Sequence, residues 1–108
     1  MYSYKVFKNE GDAASYLHER GSLPDGVAPR WMESFASNVG LPRKCEGYNK
    51  PYAEPDVLER ICASAPSDNG YYKTYYIVYT SGPEGEHGMI SELRHRAYEN
   101  IKQGKYDN

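Results

Sequence analysis

Residues 2–8 alternate, with Tyr2, Tyr4 and Val6 on one side and Ser3, Lys5 and Phe7 on the other. This period, carried by aromatic and β-branched types, predicts a strand. Asn9 or Asp12 can cap a helix after it. Over 12–20 the apolar positions Ala13, Ala14 and Leu17 form a narrow helical stripe, and Gly21 suits its end. Pro24, Asp25 and Gly26 then mark a turn.

The spacing predicts a second helix over 29–39. Pro29 fits a first helical position, and Trp31, Met32, Phe35 and Val39 recur at helical steps before Gly40. Residues 41–52, with Pro42, Gly47 and Pro51, read as an ordered loop of a length that is often functional. A third helix is expected from 54 to 65, with Val57, Leu58, Ile61 and Ala65 inward and Pro66 as the stop. Ser67, Asp68, Asn69 and Gly70 form a turn signal. Residues 71–80 are nearly all aromatic or β-branched, which makes this the clearest strand of the chain. Ser81, Gly82 and Pro83 break it. Ile90, Leu93, Ala97 and Ile101 define a last amphipathic helix over about 86–103.

These elements give an α+β fold in a single domain, 1–108. A small β-sheet, made of the N-terminal strand and the Tyr-rich strand 71–80, is covered by about four short helices in the order β-α-α-α-β-α. Two strands alone are marginal in water, so helices on one face are the simplest cover.

Composition changes the picture in one respect. Of 108 residues twelve are Tyr, against two Phe and one Trp. A buried Tyr brings a hydroxyl that needs a partner, so many of these rings belong at boundaries. The net charge is −2, the first half of the chain being neutral. Neither a basic arm nor a dense anionic surface is present, which argues against global attraction to nucleic acid and against mimicry of it. No apolar run reaches the length of a membrane span, and the first residues lack the apolar stretch of a signal peptide. A cytoplasmic protein without membrane contact is therefore expected. Cys45 and Cys62 have no C-x-x-C spacing and read as free thiols in a reducing compartment.

Few motifs point to chemistry. His87, Glu92 and His95 do not match H-E-x-x-H, and no metal or other cofactor is expected. The Gly-rich stretch 82–88 lacks a phosphate loop's Lys and carries Glu84 and Glu86. Cys45 lies near Arg43 and Lys44, which can lower a thiol pKa, but no histidine is linked to it. No catalytic residue is assigned.

The Tyr-rich strand is the main candidate site. Tyr71, Lys73, Tyr75 and Tyr79 share one face, and Tyr72, Thr74, Tyr76 and Val78 share the other. In a two-layer domain one face is left to a partner, and Tyr is enriched where proteins dock. With Tyr48 and Tyr52 in the neighbouring loop and Arg94 on the last helix, the expected partner-binding set is Tyr48, Tyr52, Tyr71, Lys73, Tyr75, Tyr79 and Arg94. The reading is a non-catalytic module, a stoichiometric inhibitor or adaptor for a protein partner. By analogy alone, phages use small inhibitors of this type against host defence enzymes. Stacking of single-stranded nucleic acid on the same rings is the alternative, and a small enzyme whose site joins distant residues is a further one. Self-association is compatible with each.

Overall fold

A computed structural model describes residues 2–36, 56–83, 85 and 89–107. The elements are β1 (Tyr2–Phe7), α1 (Glu10–Arg20), β2 (Met32–Ala36), β3 (Asp56–Ser64), β4 (Tyr72–Ser81) and α2 (Ile90–Gln103), with a 3-10 turn at Pro66–Asp68 between β3 and β4. The class is α+β, as expected. The order is not: two of the predicted helices, 29–39 and 54–65, contain the strands β2 and β3. Among the described residues two α-helices serve one four-stranded sheet, ordered β1-β4-β3-β2.

Strands β1 and β3 each pair antiparallel with the central β4, and β2 runs parallel to β3. One residue makes β3 look helical in the sequence. Its alternation is regular, with Val57, Glu59, Ile61 and Ala63 on one face and Leu58, Arg60 and Cys62 on the other. Glu59, a charged residue in a core position, hides that period, and the remaining apolar residues imitate a helix. In β2, Met32, Ser34 and Ala36 share one face and Glu33 and Phe35 the other. Pairing with β3 overrides the helical spacing of Trp31, Met32 and Phe35.

The helices lie on opposite faces of the sheet, not together on one. Helix α2 packs Ile90, Leu93, Ala97, Tyr98 and Ile101 onto Val6, Val57, Ile61, Tyr75, Ile77 and Tyr79. Helix α1 packs Ala13 and Leu17 onto Phe7 and Val78, with Leu58, Tyr76 and Trp31 alongside. Alternate residues of β4 thus supply two separate cores, which explains the unbroken run of aromatic and apolar residues from Tyr75 to Tyr79. Both helices end on a glycine in the left-handed region, Gly21 at φ +75° and Gly104 at φ +74°, a conformation with little cost only for glycine.

The two outer edges of the sheet differ. At β1, the Val6 N–H donates to Asp107 Oδ2 at 2.7 Å, and the Asp107 N–H donates to the Val6 carbonyl at 2.8 Å. The segment after α2 therefore clamps that edge. Among the described residues nothing pairs with the outer edge of β2.

Candidate functional site

Among the described residues the α1 face of the sheet is only partly covered. Helix α1 has 11 residues, about 16 Å at ~1.5 Å per residue. Strand β4 has 10 residues, about 34 Å at ~3.4 Å per residue. The helix starts over Tyr76 and Phe7 and runs toward the Thr80 end. Beyond its first turn, no helix among the described residues lies over the other half of the face.

That half holds a row of aromatic and charged side chains. Trp31 meets Tyr76 edge-on, ring centroids 5.1 Å apart, and its indole N–H donates to Glu10 Oε2 at 2.9 Å. Next comes Arg60 on β3. Its Nε donates to Glu33 Oε1 at 2.8 Å, a second short contact joins its Nη2 to the same oxygen, and its Nη1 lies 3.7 Å from Glu10 Oε2. The Arg60 hydrogen bonds hold the Glu33 carboxyl below its usual range. At the far end Phe35 of β2 stacks on Tyr72 of β4, centroids 5.5 Å apart and planes 16° off parallel. Phe35 is 66% exposed and Tyr72 53%. Together they bracket Cys62 and Ser64 of the intervening strand. Tyr71, also exposed, precedes Tyr72. Two large stacked rings turned outward beside an edge strand are a feature monomeric surfaces rarely carry without use.

The opposite face holds a different cluster, shut from solvent. Glu59 is 0% exposed. Arg94 of α2 donates to it twice, Nε to Oε1 at 3.0 Å and Nη2 to Oε2 at 2.7 Å. The Tyr79 hydroxyl donates to Oε1 at 2.7 Å, and the Tyr98 hydroxyl donates to Oε2 while accepting from Arg94 Nη2 at 2.8 Å. Arg94 Nη2 also reaches Ser34 Oγ on β2 at 3.4 Å. Burial, reinforced by the Glu59 charge, pushes both tyrosine hydroxyls above their ordinary pKa. The carboxylate thus accepts four hydrogen bonds, the satisfaction a buried charge requires. It ties β2, β3, β4 and α2 together.

The sequence-predicted binding residues separate accordingly. Tyr48 and Tyr52, with Cys45, lie outside the described residues. Tyr71 and Lys73 are exposed, although Lys73 Nζ is held 3.3 Å from Asp68 Oδ1. Tyr75 and Tyr79 are 1% and 0% exposed and belong to the α2 core. Tyr75 stacks on Tyr106 and donates to Asp68, and burial with that bond raises its hydroxyl pKa. Arg94 is the buried partner of Glu59, not a surface residue. The Tyr face expected to be open is the closed one, because α2 packs on it. The outward set is Tyr72, Thr74 and Tyr76, continued by Phe35, a residue that helical spacing assigns to the core. The two-residue steps from Trp31 through Glu33 to Phe35 are the signal in the sequence that points to it.

Among the described residues no group of three His, Cys, Asp or Glu could hold a metal ion, and no helix is long and apolar enough to cross a membrane. Compared with known proteins, the chain matches no family model, no curated protein and no solved structure.

Proposed function

We propose that this chain is a non-catalytic protein-binding module, an inhibitor or adaptor, that docks through the half of its α1 face that no described helix covers and the adjoining edge of β2. The observation that supports this reading is the exposed Phe35–Tyr72 stack beside that edge. A partner strand added to β2 would gain main-chain hydrogen bonds, and the paired rings would supply an aromatic anchor. Base stacking on the same rings is the weaker reading. Among the described residues, Arg60 is paired with Glu33 and Glu10, and Lys73 with Asp68, whereas single-strand grooves depend on free positive charge.

The test is affinity capture from lysate with wild type, Phe35→Ser and Tyr72→Ser, in low and high salt, with and without nuclease. One protein recovered in near-equal amount with wild type, resistant to salt and nuclease and lost with both variants, is the expected result. Recovery of nucleic acid alone, lost with both variants, would favour base stacking on these rings, and a partner retained by both variants would move the interface elsewhere.

A further inference from the structure

We propose that the cleft between the end of α1 and the start of β3 binds a small apolar carboxylate, an acid with a body of about leucine size. The cleft has a volume of about 250 Å³. An apolar cavity of about 150 Å³ is large enough for benzene, so a branched aliphatic group with its carboxylate fits. Its walls include Leu17 of α1, Leu23 and Val27 of the following loop and Leu58 of β3, with Asp56 and Arg30 as its charged members.

The charges decide what the ligand carries. Asp56 is buried and already answered, with Arg20 Nη2 3.2 Å from Oδ1 and Nε 3.5 Å from Oδ2. It does not ask for a cation from outside. Arg30 is exposed, and among the described residues it has no hydrogen bond or ion pair. Asp25, in the same loop, faces His18 Nδ1 at 3.7 Å and does not line the cleft. Arg20, Arg30 and Asp56 together leave one positive charge over apolar walls. A guanidinium fork matches a carboxylate, while apolar walls disfavour a multiply charged oxyanion. The loop is preformed: Pro24 and Pro29 stiffen it, Gly26 turns it at φ +78°, and the Val27 N–H donates to the Pro24 carbonyl at 3.2 Å. This site is separate from the proposed docking end. Asp56 and Ser64 stand at opposite ends of β3, about 26 Å apart at ~3.3 Å per residue.

Amide shifts of the labelled protein, followed by nuclear magnetic resonance, test the proposal. The probes are isocaproate, its uncharged amide, and acetyl-glycyl-leucine with a free carboxylate. Expected are saturable shifts at Leu23, Val27, Arg30 and Leu58 with an acid, and binding roughly tenfold weaker for the amide. In Arg30→Gln, an exposed substitution, the acid should lose that same factor and the amide should be unaffected. Tighter binding of the peptide would identify the ligand as a chain terminus, and tighter binding of isocaproate as a free acid. No saturable shift with either acid, equal binding of acid and amide, or an unchanged Arg30→Gln would overturn it.

Discussion

The two faces of the sheet are built from the same strands and finished differently. On one, α2 runs over β1, β4 and β3, and the 3-10 turn and Tyr106 extend the cover past the helix end. Ser67 Oγ donates to the Ile101 carbonyl at 2.8 Å, and Tyr106 lies flat on Tyr75 with centroids 5.8 Å apart. On the other face the described cover, α1, ends halfway. Tyrosine shows what the difference means. Tyr75 and Tyr79 turn toward the closed face and find carboxylates for their hydroxyls, while Tyr72, on the same strand, turns outward and finds another ring. Residue type alone does not separate buried from exposed rings; the helix that lies over them does.

The sharpest way to break this contrast is at Glu59. Glu59→Ala leaves Arg94 buried without its counter-charge and should cost about 3–5 kcal/mol, read from urea unfolding. Replacing both together, Glu59→Leu with Arg94→Met, should recover much of that loss. If the single change costs under ~1 kcal/mol, the ion pair is not what closes the α2 face.

Next in size is a matched pair on β4. Tyr75→Ser removes a buried ring and should destabilise by about 3–5 kcal/mol. Tyr72→Ser should stay within ~0.5 kcal/mol while abolishing partner capture. Similar losses of stability for the two would erase the distinction between the faces.

The helix ends give a smaller effect. Gly21 and Gly104 both have positive φ, but a side chain at Gly21 meets open space, whereas one at Gly104 comes 3.2 Å from Ser67 Cβ. Thermal melts should show Gly21→Ala costing about 1–2 kcal/mol for backbone strain, and Gly104→Ala somewhat more.

The smallest effect is acid sensitivity at Asp68. The Tyr75 hydroxyl, then Lys73, hold its carboxyl below the ordinary 3.8. A depressed folded-state pKa stabilises the fold above the unfolded value, and that contribution disappears as pH falls through the folded one. Stability measured from pH 5 down to 2 should therefore decline less steeply in Asp68→Asn than in wild type below about pH 4. Parallel curves would remove Asp68 from the closure of the α2 face.

Much of this architecture is legible in the sequence, and the failures have one source. Strands β1 and β4 and both helices follow from local period and end signals, since their apolar residues meet the core directly. Strands β2 and β3 do not, because part of their inward face is polar. Glu59 is tolerated there only because Arg94 stands 35 residues away, and Ser34 because the same guanidinium reaches it. Local spacing carries no information about partners so distant. The candidate site is hidden for the same reason: with β2 read as a helix, Phe35 belongs to a core, and Tyr72 has no ring to stack on.

The clamp of Asp107 on Val6 has a consequence for assembly size. A sheet whose two borders were equally receptive could add copies at both and grow into a filament. Here the first border is occupied at Val6 by the segment after α2, which would favour the second for strand pairing. Two copies that joined through β2 would each use up the border they share, and the assembly would terminate as a closed pair. A partner strand bound there would be bound once. Two hydrogen bonds on the far side of the sheet would thus oppose growth by edge pairing beyond a ratio of one to one.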